Sequence, residues 1–144
     1  MISLLVPSRG RPENIDRLWA SVTATASSHD WELVVRLDED DDRRSDYART
    51  DAWWASQTEG GPGSRWLVGP RILMSELWND CWREASGDVF WHGGDDVTFN
   101  TAGWDRMVLG AFPADGIAFV HGDDLGGKGD QLGTHGFVTK RWTD

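Results

Sequence analysis

Short apolar runs alternate with stretches of helical periodicity along this chain. Ile2-Ser3-Leu4-Leu5-Val6 is a continuous apolar run, and Ile15, Leu18, Trp19, Val22 and Ala26 then recur at helical spacing. A second run covers residues 32–37, and Arg65-Trp66-Leu67-Val68 is a short third. From Ile72 to Ala85, Leu73, Leu77 and Cys81 fall on one line with Met74, Trp78, Trp82 and Ala85 beside it. That pattern predicts an amphipathic helix stopped by Gly87 at C′. A fourth strand is expected over about 88–92, a helix capped by Thr101 to about 110, a strand over 116–121 and a last one over 136–139. Residues 46–57 are expected to be helical, and Glu59-Gly60-Gly61-Pro62-Gly63-Ser64 is a loop. Strands alternating with helices imply a three-layer α/β/α fold, Rossmann-like, with a mostly parallel sheet. The 144 residues, 39% apolar with ten Trp, suit one domain over 1–144 with a single core.

Two acidic clusters then acquire meaning from where they fall. Glu32-Leu33-Val34-Val35-Arg36-Leu37 runs into Asp38-Glu39-Asp40-Asp41-Asp42, and Asp88-Val89-Phe90-Trp91-His92 runs into Gly93-Gly94-Asp95-Asp96. In an open α/β sheet, ligands bind beyond the carboxyl ends of the strands, where strand order reverses. Carboxylates gathered in one crevice repel unless a cation or hydrogen-bond donors compensate. A divalent metal, Mn²⁺ or Mg²⁺, holding a phosphate-bearing ligand satisfies that condition. Two solvated acidic turns are the plainer alternative; the paired placement favours a site.

Charge narrows the partners. A net charge of −10 argues against nucleic acid and against an anionic membrane surface. No apolar run approaches the roughly 18 residues needed to span a bilayer. Residues 2–6 lack a basic region before them and end at Pro7, so they read as a strand rather than a signal peptide. A cytoplasmic location is expected. The lone Cys81 permits no internal disulfide and reads as a buried thiol.

Individual residues carry the candidate chemistry. Asp95 and Asp96 can divide the labour, one accepting from a ribose and the other coordinating the metal. Asp38 or Asp40 can accept from a nucleoside, whereas Asp41 and Asp42 read as solvated surface. Arg9 and Arg11, flanking Gly10, suit diphosphate oxygens or a base; pairing with the acidic turns fits them equally. His135 is a candidate metal ligand beside the carboxylates. Asp123 and Asp124 repeat the strand-end pattern and are candidates for a general base near an acceptor hydroxyl. His92 and His121 read as core or wall residues. Trp53, Trp54, Trp104 and Trp142 could line a pocket, although packing explains each of them.

These residues resemble a known family. Leu4-Leu5-Val6-Pro7-Ser8-Arg9-Gly10-Arg11-Pro12 is similar to the opening of family 2 glycosyltransferases with the A-type, nucleotide-sugar-binding fold. The Asp38–Asp42 turn is similar to that family's second-strand acidic motif. Gly94-Asp95-Asp96-Val97 resembles its metal-binding DxD segment in an Asp-Asp variant. Thr101-Ala102-Gly103-Trp104-Asp105 and His135-Gly136-Phe137-Val138-Thr139-Lys140 resemble stretches of small bacterial and phage members. The resemblance implies transfer of a sugar from a nucleoside diphosphate sugar to an acceptor, metal-dependent and inverting. It implies that Asp38 or Asp40 contacts the nucleoside, Asp95 the ribose and Asp96 the metal; together with the residue reading above, the candidate nucleotide site is Pro7, Ser8, Arg9, Arg11, Asp38, Asp40 and Asp95, and the candidate metal ligands are Asp96 and His135. Family members continue into an acceptor-side region that often supplies the base, so donor binding with slow transfer is expected of a chain that stops at Asp144. Two rivals are a nucleotidyltransferase and a nucleotide-sugar-binding assembly module without turnover.

Overall fold

The computed structural model describes residues 1–57, 63–123, 125 and 133–143. Six strands form one sheet in the order β3-β2-β1-β4-β6-β5. The strands are β1 (Ile2–Ser8), β2 (Trp31–Asp38), β3 (Gly63–Gly69), β4 (Val89–His92), β5 (Val120–His121) and β6 (Gly136–Thr139). The helices are α1 (Pro12–Thr25), α2 (Asp51–Ala55), α3 (Met74–Glu84), α4 (Trp104–Ala111) and α5 (Lys140–Thr143), with a 3₁₀ turn over Arg44–Arg49. β1 to β4 are mutually parallel where they pair, and β6 runs antiparallel to both β4 and β5.

Alternation along the strands divides the core into two layers. Ile2, Leu4 and Val6 of β1 and Leu33 and Val35 of β2 face one way, against Ile15, Leu18, Trp19 and Val22 of α1, Ala52 of α2, and Trp104 and Val108 of α4. Leu5 and Val34 face the other way with Phe90 and Val138, against Cys81, Trp78 and Trp82 on α3. The three-layer α/β/α arrangement follows. Burial pushes the Cys81 thiol up to about 12, which keeps it protonated and inert.

Several elements depart from expectation for identifiable reasons. The helix expected over 46–57 is broken at Thr50, which is extended and caps α2 by accepting from Trp53 N–H. The strand expected over 116–121 shrinks to two residues. Gly116 sits at φ 71 in a turn closed by its N–H on the Pro113 carbonyl, and its own carbonyl accepts from Thr139 Oγ1. Thr101 does not cap α4; that place is taken by Gly103 in the left-handed region. Gly87 is not a left-handed cap either, because α3 ends on extended Ala85. Gly87 is needed where β1 passes: a Cβ there would lie 2.6 Å from Ser3 Oγ and 2.7 Å from the Met1 carbonyl.

Candidate functional site

β1 sits at the point where strand order reverses, with β2 on one side and β4 on the other. Its pairing with β4 stops at Leu5 opposite His92, while its pairing with β2 continues to Ser8 opposite Leu37. The two parallel neighbours therefore part over residues 6–8, and the turn after β4 fills the gap. Pro7 is a buried residue of this stretch, beyond the last β4 partner, where its missing N–H costs no bond on that side. Ser8 Oγ donates to Asp95 Oδ2 at 2.5 Å and lies 2.8 Å from the Tyr47 hydroxyl, which accepts the Arg11 backbone N–H at 3.0 Å. An ionised carboxylate only accepts, so Ser8 gives its proton to Asp95 and Tyr47 gives its proton to Ser8. Asp95 Oδ1 takes Arg11 at 3.0 Å and Asn14 Nδ2 at 3.3 Å. The Asp95 side chain is fully enclosed by these partners.

The turn after β2 closes the other flank. Arg9 donates to Asp38 Oδ2 at 2.9 Å and also pairs with Asp40. The guanidinium holds the Asp40 carboxyl below its usual range, and the Asp40 hydrogen bond in turn raises Arg9. Asp41, expected to be solvated, is buried and accepts the Gly10 and Arg43 N–H groups at 2.7 and 2.9 Å. It pins the Arg9–Arg11 loop, whereas Asp42 is exposed as expected. Asp38 is 5% exposed, and its Oδ1 has no hydrogen-bond partner among the described residues. Arg36 lies 3.9 Å from this oxygen, beyond hydrogen-bond reach, and its guanidinium is spent on Asp80 and on the Gly69 and Pro70 carbonyls. A buried carboxylate oxygen without a protein partner can accept from water or from a ligand N–H or O–H.

Asp96 behaves oppositely to its neighbour. It is exposed and makes no hydrogen bond or ion pair among the described residues. Gly93 and Gly94 do not turn through positive φ; Gly93 is required because a Cβ would fall on the Trp91 ring. Asp96 opens onto a cavity of about 720 Å³, shared with His135, Asp123, His121, Trp104 and Met107. His135 precedes β6 and Asp123 follows β5, so the sheet brings both to the edge where Asp38, Asp95 and Asp96 stand. Asp124 lies outside the described residues. Among the described residues, no three His, Cys, Asp or Glu side chains converge into a metal cage. An uncommitted carboxylate at a cavity rim instead fits a divalent ion that takes most of its oxygens from a ligand's phosphates and water.

Tyr47, Asn14 and His121 escaped the sequence reading as site residues. Tyr47 carried one legible signal: it is the single Tyr of the chain, set in a run of charges where no packing stripe demands an aromatic. His92, read as a core or wall residue, is half-buried against Trp78, and burial pushes its pKa down.

No protein-family model matches the chain, and no curated protein matches it. Among solved structures, it is similar to the mannosyltransferase PcManGT from Pyrobaculum calidifontis in complex with GDP-Man and Mn²⁺. The TM-score is 0.70 at 14% identity, covering 85% of this chain and 35% of that one. It is also similar to S. aureus TarS 1-349, with a TM-score of 0.55 at 15% identity, covering 80% of this chain and 32% of that one. The chain spans about a third of the length of each. At these identities the likeness establishes the fold, the mostly parallel α/β sheet of the glycosyltransferase A type.

Proposed function

We propose that this chain is the donor-binding domain of a metal-dependent glycosyltransferase of family 2 type, which transfers a sugar from a nucleoside diphosphate sugar with inversion. One observation carries the reading. At the switch point of the sheet, a buried acceptor atom, Asp38 Oδ1, and a free carboxylate, Asp96, stand on either side of the two arginines that follow β1. That set matches the parts of a nucleoside diphosphate: an N–H or O–H bearing nucleoside and an anionic diphosphate. The neighbour solved with GDP-Man and Mn²⁺ shares the fold that holds these parts.

The residues take the following roles. Asp38 accepts from the nucleoside through Oδ1, and its Oδ2 stays with Arg9. Asp40 holds Arg9 from the solvent side. Ser8 and Pro7 form the floor on which the nucleoside lies. Arg11 is half exposed and can leave Asp95 for a diphosphate oxygen, because guanidinium suits phosphate as well as carboxylate. Asp95 reaches a ribose hydroxyl only once Arg11 has swung away; until then it braces the loop. Asp96, with His135 across the cavity, holds a divalent cation together with the ligand's own phosphates. Such a cation offsets charge developing on the departing diphosphate. Asp123 stands on the cavity side, where a base for the acceptor hydroxyl belongs.

Calorimetric titration of GDP, UDP and their sugars, with and without Mn²⁺, tests this reading. At least one nucleotide is expected to bind. Asp96→Ala should remove the Mn²⁺-dependent part of the affinity, and Asp38→Ala should weaken binding whether or not metal is present. Undiminished Mn²⁺-dependent affinity in Asp96→Ala would exclude the metal role.

A further inference from the structure

Arg11 is held twice by one hydrogen-bonded ring. Its backbone N–H donates to the Tyr47 hydroxyl at 3.0 Å, and that hydroxyl lies 2.8 Å from Ser8 Oγ. Ser8 donates to Asp95 Oδ2 at 2.5 Å, and Asp95 Oδ1 takes the Arg11 guanidinium at 3.0 Å. The ring leaves Arg11 by its main chain and returns by its side chain. We infer that Tyr47 is a positioning residue of the nucleotide site. Its phenol fixes both the Arg11 backbone and the Asp95 carboxylate, so that only the guanidinium has to move when Arg11 exchanges Asp95 for diphosphate. That role rests on the glycosyl-transfer reading above; the hydrogen-bonded ring does not.

Three observations carry the inference. The first is polarity. An amide N–H cannot accept and an ionised carboxylate cannot donate, so each proton in the ring has one place and each bond strengthens the next. Loss of the phenolic O–H breaks the ring at two points, because Arg11 N–H loses its acceptor and Ser8 Oγ its donor. Burial pushes the Tyr47 pKa up, so the hydroxyl keeps its proton. The second is how little else fixes the Arg11 main chain. Arg11 is the N-cap of α1, at φ −136 and ψ 55, with no side-chain capping bond. It follows Gly10, which sits at φ 68 with open space where a Cβ would stand. Asp41 holds the Gly10 amide, and Tyr47 supplies the restraint one residue later. The third is a contrast in burial. Tyr47 is 1% exposed, lies edge-on to Trp66, and its carbonyl accepts from Thr50 Oγ1 at 2.7 Å. The Asp95 side chain is fully enclosed, whereas that of Arg11 is 55% exposed. A rigid post behind a solvated guanidinium makes a pivot: the main chain stays while the charged head turns. When the head leaves, Ser8 and Tyr47 still hold Asp95 Oδ2, and Oδ1 is presented in place to a ribose hydroxyl.

The test uses the whole chain. Calorimetric titration with GDP and with UDP, in the presence of Mn²⁺, is run on wild type, Tyr47→Phe, Arg11→Met and the double variant, with melting followed in parallel. Tyr47→Phe keeps the aromatic ring against Trp66 and is expected to bind the preferred nucleotide about tenfold more weakly. In the Arg11→Met background the same change should cost no more than about threefold, since the phenol acts chiefly through Arg11. A phenol that only supports the fold would cost the same in both backgrounds. Tyr47 is the single tyrosine of the chain, so ¹³C-tyrosine labelled at Cζ gives one resonance that needs no assignment. Saturating nucleotide should move it in the wild type, and less than about half as far in Arg11→Met. Undiminished affinity in Tyr47→Phe, equal losses in the two backgrounds, or a resonance that nucleotide leaves unmoved overturns the inference while nucleotide binding stands. Should Tyr47→Phe fail to fold, the labelled wild type and Arg11→Met decide alone. Binding of neither nucleotide by the wild type removes the transferase reading, and this role with it.

Discussion

Asp95 and Asp96 are adjacent and chemically identical, and their replacement should have unlike consequences. Asp95→Ala removes the acceptor for Ser8 Oγ at 2.5 Å, Arg11 at 3.0 Å and Asn14 Nδ2 at 3.3 Å. The Ser8 bond is buried and charge-assisted, worth about 1.5–3 kcal/mol. Arg11 is half exposed, so its pair is worth about 0–1 kcal/mol. The long Asn14 bond adds roughly 0.5–1 kcal/mol. Relief of carboxylate desolvation offsets part of the total, leaving a net loss of about 2–4 kcal/mol. At roughly 3–4 °C per kcal/mol for a domain of this size, melting should fall by about 6–16 °C. Asp96→Ala removes an exposed group without partners and should stay within about 0.5 kcal/mol of wild type. Urea denaturation of both variants, in metal-free buffer, measures the contrast. Equal stability of the two would refute the enclosure of Asp95, and with it the bracing of the Arg9–Arg11 loop. A destabilised Asp96→Ala would refute the open carboxylate at the cavity rim.

Two pH effects and one steric effect follow from other parts of the molecule. Burial opposes ionisation of Asp105, but hydrogen bonds from Ser27 N–H and Ser28 Oγ, with further backbone donors, outweigh it and hold the carboxyl below its usual range. A depressed acid contributes stability that is complete above the unfolded value near 3.9 and is lost as pH falls through the folded one; Asp105→Asn should flatten that acid limb in pH-dependent melting. His92 is likewise depressed, by burial, so the unfolded chain binds its proton first as pH falls below about 6.5. Stability should therefore decline from that point downward, and His92→Gln should remove the slope there; an unaltered slope would show that another group titrates. Gly87→Ala drives a Cβ toward Ser3 Oγ and the Met1 carbonyl and should cost about 1–3 kcal/mol by chemical denaturation.

The central strands were legible because a parallel strand buried on both faces is mostly apolar: residues 2–6 are apolar but for Ser3, and residues 32–37 but for Glu32 and Arg36, which are buried with Ser3 and Asp80 as partners. The α1 and α3 faces were legible for the matching reason of helical spacing. The gathering of acidic turns at one edge followed from parallel direction alone. What escaped depends on geometry finer than pattern. Nothing in Asp95-Asp96 says which carboxylate turns inward; the parting of β1 and β4 decides that. Asp41 looked like one more surface charge, yet the Gly10 and Arg43 amides require an acceptor there. β6 is too short for its sequence to carry a direction, and its antiparallel insertion comes from the sheet. The fate of Thr50 was readable in principle, since a Thr before an acidic first turn is a helix cap, but the periodicity of 46–57 masked the break.

The place of β6 between β4 and β5 has a consequence for the order in which the molecule can assemble. β5 has no strand partner other than β6 among the described residues, so Val120 and His121 stay outside the sheet until residues 136–139 arrive. The arginine-bearing crevice needs only segments up to Asp96, whereas the cavity wall is complete only after the last strand docks between two earlier ones. During synthesis, the half that carries the arginine crevice can consolidate while the half that completes the cavity wall is still open. The same division should persist in the finished protein as two cooperative units, with amides of β5 and β6 exchanging with solvent well before those of β1 and β2.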